Sequence, residues 1–280
     1  MITVTNLSKT YGGTLVLELP ELSIPKGQRF GLVGNNGAGK TTFFSLLLDL
    51  IESSSGRIAI NDIDVQSSED WKPFTAAFID ESYLIGYLTV EEYYYFLGSL
   101  RGLSTKEIDE WVLGFESFFN GEILGKKKYL RDLSKGNQKK AGIVGSLIGS
   151  PDLVILDEPF ANLDPSSQIG LKKLIEDIAK KGAITFLISS HDLTHVTEVC
   201  DRIVLLEKGK ILKDIKTTPS TLKELESYFS FKEYRNILKA LFFSYYLASL
   251  HRCFIGLTIF YLPHCSFFLC CLVVQQKREY

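Results

Sequence analysis

The sequence has no excess of basic charge and no visible leader. Its 280 residues carry 31 Lys and Arg against 33 Asp and Glu, a formal net charge of −2 at pH 7. A nucleic-acid-binding chain needs a basic field, so we predict no nucleic-acid partner. The N-terminus lacks a charged segment followed by an apolar one, so we expect no secretory signal. Two short basic runs, 126–128 and 139–140, are interpreted as solvated helix faces.

Cysteine is nearly absent until the end of the chain. Of five cysteines, Cys200 stands alone in the main part, and the other four lie at positions 253, 265, 270 and 271. This distribution is not a disulfide framework, and it favours a reducing compartment. The sequence also has neither an internal repeat nor a low-complexity linker.

A glycine-rich loop is the most informative feature that is present. It fits GxxxxGK(S/T), which wraps nucleotide phosphates, and consists of Gly34, Asn35, Asn36, Gly37, Ala38, Gly39, Lys40, Thr41 and Thr42. Glycines let backbone N–H groups converge on a triphosphate, Lys40 adds a mobile charge, and Thr41 offers Mg²⁺ a hydroxyl. The alternative is an accidental glycine-rich turn. The apolar strand pattern at 28–33 and the helical pattern at 42–50 argue against it.

The hydrophobic pattern predicts an α/β chain. Residues 1–33 and 57–65 alternate as antiparallel strands do, whereas the runs 153–156, 184–188 and 202–206 are continuous, as in buried parallel strands. Helical stretches near 166–181 and 193–200 separate these runs. Capping patterns at Thr89 and Ser104 open helices in the segment 87–150. We predict a mostly parallel central sheet with an N-terminal antiparallel β part and a helical insertion at about 87–150.

Two of the predicted strands end in polar residues suited to phosphate chemistry. Asp157 and Glu158 follow the run 153–156, and ligands in open α/β sheets bind at the carboxyl ends of strands. We expect Asp157 to hold Mg²⁺ through water and Glu158 to orient or deprotonate the attacking water. His191 ends the next strand, where it would touch the γ-phosphate. The alternatives are a surface Asp-Glu pair and a structural histidine.

A second phosphate-binding surface is predicted at residues 133–138. Ser134 supplies a hydroxyl and Gly136 a flexible backbone immediately before a helical run at 139–148. The alternative is an ordinary helix cap, which has the same residue pattern.

These motifs, taken in order, resemble the ATP-binding subunit of ABC transporters over residues 1 to about 218. The signature motif of that family, usually LSGGQ, corresponds to residues 133–137, and the loop at 161–164 resembles its D-loop. His191 is similar to the switch histidine. Tyr11 resembles the aromatic residue that stacks on adenine, with a core or edge-strand tyrosine as the alternative.

The resemblance implies the P-loop NTPase fold of ABC type, ATP and Mg²⁺ as ligands, and catalytic roles for Lys40, Glu158 and His191. It also implies a head-to-tail pair of nucleotide domains, expected here as a homodimer. Ser134 and Gly136 of one chain would complete the γ-phosphate site of the other, and Asp164 would help communication between them. Closure of this pair of domains on ATP would drive a separate transmembrane permease. The expected location is peripheral, on the cytoplasmic face of the inner membrane.

Two positions depart from the family pattern. Glu81 stands at the position assigned to a glutamine, where a carboxylate would still meet Mg²⁺ or water. The signature carries Lys135 and Asn137 in place of a glycine and the final glutamine, while the serine and second glycine remain. The LSKG form resembles the export branch of the family, so export is the expected direction.

The predicted domains are an ATP-binding domain at 1–218 and an apolar tail, rich in cysteine and aromatic residues, at 219–280. Residues 254–274 contain no Asp, Glu, Lys or Arg and are long enough to span a bilayer, although Pro263 and His264 interrupt them. A membrane segment that anchors the tail, a partner-covered helical appendage and an altered reading frame all remain open.

Three functions remain as hypotheses. The leading one is an ATPase that powers export through a separate permease, because the chain has too little apolar sequence for a translocation path. The second is a non-transport ABC ATPase acting on ribosomes or DNA, which usually has paired domains, coiled coils or basic extensions. The third is an ATP-gated regulatory module, against which Glu158 and His191 argue.

Overall fold

The computed structural model describes residues 1–182 and 184–228. Met1–Lys223 form one compact unit, and Glu224–Tyr280 form a second, of which only the first residues are described. Among the described residues, no helix has the length and apolar character needed to cross a bilayer. The interpretations of segment 254–274 lie outside the described residues, and the division at 218 stays a prediction.

The secondary structure of the first unit alternates strands and helices along most of its length. The elements are β1 (Ile2–Tyr11), β2 (Thr14–Ile24), β3 (Arg29–Val33), α1 (Lys40–Leu47), β4 (Ser55–Ile60), β5 (Ile63–Asp64), β6 (Thr75–Phe78), α2 (Val90–Ser99), α3 (Thr105–Leu113), α4 (Glu116–Phe119), α5 (Lys135–Ser146), β7 (Leu153–Leu156), α6 (Pro165–Lys181), β8 (Thr185–Ser190), α7 (Leu193–Val199), β9 (Arg202–Glu207) and β10 (Lys210–Lys216). Short 3₁₀ turns lie at Lys72–Phe74, Glu81–Tyr83 and Leu130–Asp132.

The strands form two sheets, as the sequence predicts. The first is antiparallel, in the order β2-β1-β4-β5. The second has the order β10-β9-β3-β8-β7-β6 and is parallel except for β10 at one edge. Neighbouring β3, β8 and β7 therefore end at the same edge, which brings the glycine-rich loop, the carboxylates and the histidine together. The predicted class, a mostly parallel sheet with an N-terminal antiparallel part, is confirmed.

The main core joins the antiparallel sheet, α1 and one face of the parallel sheet. Val4 and Leu22 from the first sheet, Phe44 from α1, and Leu187 and Val204 from the second sheet are all buried in it. Each such side chain stabilises the fold by about 1.5–3 kcal/mol when fully buried. This packing fixes α1 and β3 on either side of the glycine-rich loop.

Two details of the first sheet go beyond the alternating pattern. β2 continues through Pro20 without a break. This is tolerated because β2 is an edge strand, and the facing Asn6 adopts a positive φ of 48° where the pairing is interrupted. The alternating stretch 57–65 is a hairpin, since Asn61 and Asp62 both have positive φ.

The capping patterns of the helical insertion are confirmed. Thr89 and Ser104 each form a complete capping box, with Glu92 and Glu107 respectively. The basic run 126–128 is exposed, as expected, but it does not lie on a helix: its backbone is irregular and Lys127 has a positive φ of 50°.

The start of α5 and the basic run 139–140 were predicted wrongly. The helix begins at Lys135, not at residue 139, because Ser134 caps it and the signature residues form its first turn. Lys139 and Lys140 are therefore not on a solvated face but are buried, with 5% and 4% of their surfaces exposed. Buried ammonium groups need partners, and Lys139 finds them at the functional site.

Candidate functional site

The glycine-rich loop connects β3 to the N-terminus of α1. A Cβ on Gly34 would lie 2.4 Å from the Leu206 carbonyl oxygen, so only glycine fits against β9. Gly37 and Gly39 have φ of 79° and 105°, which side-chain-bearing residues rarely adopt. Loop amides and the positive end of the α1 dipole favour an anion here. The geometry suits phosphate binding by residues 34–42.

Lys40 is the buried cation of this loop. Only 7% of its side chain is exposed. Its Nζ donates a hydrogen bond of 2.7 Å to the Gly34 carbonyl oxygen and lies 3.2 Å from Glu158 Oε1. A phosphate group carries anionic oxygens, as this carboxylate does. Lys40 can therefore pair with a bound phosphate in place of Glu158.

Thr41 and Asp157 present two oxygen ligands side by side. Thr41 Oγ1 donates a 2.7 Å hydrogen bond to Asp157 Oδ2, and Ser189 Oγ donates to Asp157 Oδ1. Hard oxygen donors next to a phosphate loop fit Mg²⁺. Among the described residues there is no group of three or more His, Cys, Asp and Glu suited to a metal. Nucleotide oxygens and water would therefore have to supply most of the coordination.

Burial raises the pKa of Asp157, and the hydrogen bonds from Ser189 and Thr41 only partly offset it. A raised pKa means that the folded protein holds this proton more tightly than the unfolded chain does. The stability that this carboxyl contributes is full below the ordinary carboxyl pKa of about 4 and is lost as pH rises through the raised pKa.

We therefore expect Asp157→Asn to raise the melting temperature of the nucleotide-free protein in chelator at pH 7, by an amount that shrinks toward pH 4. Thermal unfolding followed by fluorescence across this range measures it. Asp164→Asn is the control and should lower the melting temperature at pH 7. Hydrogen bonds from Ser166 and Ser167 hold the pKa of Asp164 below its usual range, so its charged form stabilises the fold. A melting temperature of Asp157→Asn below wild type at pH 7 would contradict the argument.

Glu158 lies between Lys40 of the glycine-rich loop and His191. Its Oε2 lies 2.8 Å from His191 Nδ1 and accepts a 3.3 Å hydrogen bond from the His191 backbone N–H, while its Oε1 faces Lys40. The backbone of Glu158 has a positive φ of 47°. The structure thus brings Lys40, Glu158 and His191 into one contact chain, with Asp157 beside them.

Ser134 is the N-cap of α5, and Gly136 lies in the first turn of that helix. Ser134 Oγ accepts a 3.2 Å hydrogen bond from the Asn137 N–H, so within one chain it is a helix cap. A Cβ on Gly136 would lie 3.2 Å from the Asn162 carbonyl oxygen, so a glycine lets α5 pack against the loop at 161–164. Asp164 caps α6 through Ser167. A phosphate-binding role for Ser134 and Gly136 stays a prediction.

Tyr11 is an exposed aromatic residue at the end of β1. Its surface is 48% exposed, and Lys9 Nζ lies 4.9 Å from the ring centroid. Tyr11 is therefore not part of the core, and its strand is not an edge strand, since β1 pairs with both β2 and β4. An exposed ring face is available for a base, and adenine stacking stays a prediction.

Three further residues, Ser189, Lys139 and Glu81, belong to the contact network of the site. Ser189, at the end of β8, donates a hydrogen bond to Asp157 and accepts a 2.9 Å hydrogen bond from the Glu158 N–H. Lys139, missed as a site residue, donates a 3.0 Å hydrogen bond to the Glu158 carbonyl oxygen. Glu81 lies with its Oε1 3.4 Å from Lys139 Nζ, so the structure pairs it with a lysine and its metal role stays a prediction.

Residues 17–161 match the family model described as ABC transporter. The chain is 34% identical over 235 residues to the uncharacterized ABC transporter ATP-binding protein YhaQ of Bacillus subtilis, covering 77% of this chain and 73% of that protein. It is 33% identical over 210 residues to the tungstate uptake system ATP-binding protein TupC of Peptoclostridium acidaminophilum, covering 75% and 96%.

The fold likewise matches a solved structure described as the ATP binding subunit of an ABC transporter. The TM-score is 0.70 at 29% identity, over 77% of this chain and 90% of the other. The phosphate loop, the paired carboxylates and the sheet order agree with these similarities. The chain belongs to the ABC transporter family, as an ATP-binding subunit with the ABC ATPase fold.

Proposed function

We propose that this chain hydrolyses ATP and uses the energy to drive transport through a separate transmembrane permease. The observation that supports it most is the contact chain from Lys40 through Glu158 to His191, beside Asp157 and Thr41. This contact chain joins a phosphate-binding cation, Lys40, to a carboxylate that can activate water, Glu158. A module that only binds ATP would need the cation but not the carboxylate.

In the proposed reaction, the triphosphate lies in the loop and Lys40 moves from Glu158 to a phosphate oxygen. The released Glu158 carboxylate accepts the proton of a water that attacks the γ-phosphorus, and the bond to the β-phosphate oxygen breaks. His191 holds Glu158 Oε2 in place. Thr41 and Asp157 would hold Mg²⁺, which supplies charge neutralisation on the phosphates.

The proposed assembly is a head-to-tail homodimer. In it, Ser134 and Gly136 of one chain would approach the γ-phosphate on the loop of the other. Two observations support this: Gly136 lies in the first turn of a 12-residue helix, and Ser134 is exposed. The helix N-terminus then adds its own positive dipole end to the phosphate site.

We further propose an ATP-binding domain at 1–218 and a peripheral position at the cytoplasmic face of the membrane. Export remains our prediction from the LSKG signature. One relative is named for tungstate uptake, so the relatives do not fix the direction. The composition does not favour the alternative function on ribosomes or DNA, because acidic residues outnumber basic ones.

Affinity isolation of the full-length chain from its own cells tests the transport proposal. We expect detergent-solubilised membranes to yield a polytopic membrane protein bound to the tagged chain, and ATP turnover to rise in that complex. Lys40→Ala serves as the inactive control for the turnover. Recovery in the ribosome fraction, with no membrane partner, would contradict the proposal.

A further inference from the structure

The backbone of Glu158 is held at both of its hydrogen-bonding groups. Its φ of 47° is unusual for a residue with a side chain and needs support from its surroundings. The N–H donates to Ser189 Oγ at 2.9 Å. The carbonyl oxygen accepts from the Ala161 N–H at 3.2 Å and from Lys139 Nζ at 3.0 Å. The Glu158 side chain therefore starts from a fixed backbone.

Lys139 is a buried charged donor, unlike the neutral Ala161 amide. Its side chain is 6% exposed and that of its partner Glu81 is 10% exposed. A buried ammonium is costly unless it is paired, so Glu81 is the counter-ion that makes this lysine stable there. A hydrogen bond from a charged donor is about twice as strong as one from a neutral donor. Lys139 thus joins the turn Glu81–Tyr83, which precedes the helical insertion, to the Glu158 backbone.

We propose that Lys139 is a positioning residue for Glu158, anchored by its ion pair with Glu81. The inference rests on the proposed function, in which Glu158 accepts a proton from water. The Lys139 ammonium contacts the Glu158 carbonyl oxygen and Glu81, and Lys139 is not part of the phosphate loop at 34–42. It fixes the carbonyl of Glu158, so that the carboxylate points toward Lys40 and His191. Its loss therefore affects the chemical step and not ATP binding.

The test compares wild type, Lys139→Met/Glu81→Gln and Lys139→Arg. The double variant removes both charges of the buried pair, so no unpaired charge is left to unfold the protein. We expect its kcat to fall on the order of 10- to 100-fold, as small misplacements of a catalytic group do. KM and the dissociation constant for ATP should stay unchanged. Lys139→Arg keeps a charged donor and should restore most of the kcat.

Lys140→Met is the matched control, because Lys140 is an equally buried lysine on the same helix, with its Nζ 5.9 Å from the Phe118 ring centroid. It should keep the wild-type kcat. A wild-type kcat in the double variant would overturn the positioning role of Lys139 but not the proposed function. A decrease in kcat that is fully explained by a lower folded fraction would do the same. A wild-type protein without ATP turnover would overturn the proposed function, and this inference with it.

Discussion

We expect Lys40→Ala to abolish ATP turnover and to weaken ATP binding by about 10- to 100-fold, since a charge-assisted hydrogen bond contributes about 1.5–3 kcal/mol. The reason is that Lys40 Nζ is the buried cation that reaches both the Gly34 carbonyl oxygen and the position where Glu158 Oε1 now lies. Isothermal titration calorimetry with a non-hydrolysable ATP analogue and a phosphate-release assay measure the two effects.

Lys126→Ala is the control for removing a lysine from this protein. Lys126 is exposed in the helical insertion, so its loss should leave binding and turnover unchanged. Circular dichroism should show the same fold for both variants. ATP binding of wild-type strength in Lys40→Ala would contradict the assignment of the phosphate loop.

We expect Glu158→Gln to keep ATP binding but to lower kcat by about 10²- to 10⁴-fold, the usual contribution of a general base. The amide keeps the size of the side chain but cannot take up the proton of the attacking water. Because ATP then persists in the site, we expect the dimer to accumulate. Size-exclusion chromatography with light scattering should give twice the 31.5 kDa mass of one chain when ATP and Mg²⁺ are present.

Glu122→Gln makes the same chemical change at an exposed position in the insertion and should behave as wild type. Unimpaired turnover by Glu158→Gln would remove the proton-accepting role from this residue. If Glu158→Gln loses turnover but stays monomeric at saturating ATP, the proton-accepting role of Glu158 stands and the proposed pairing of two chains is wrong.

The sequence predicts the fold best where its signal is local. The loop around Gly34 and Lys40 lies between a strand and a helix that can each be identified without the rest of the chain. Capping boxes at Thr89 and Ser104 need only four consecutive residues. The strand ends at Asp157 and His191 also follow short apolar runs, and parallel pairing then brings them to one edge.

The sequence predicts the site less well where contacts join distant segments. Lys139 belongs to a polar run, so its burial is visible only when Glu81 and the Glu158 carbonyl oxygen are placed around it. Ser189 is separated by 32 residues from Asp157, and nothing in the local pattern distinguishes it from Ser190. The start of α5 was placed late because apolar spacing begins only after the polar first turn that Ser134 caps.

A crystal structure of Glu158→Gln with ATP and Mg²⁺ tests the central claim most directly. The predicted result is a two-chain assembly with two nucleotides, each γ-phosphate within hydrogen-bonding distance of Lys40 from one chain and Ser134 from the other. ATP bound away from residues 34–42, or bound there with Ser134 of every chain facing only solvent, would contradict the account.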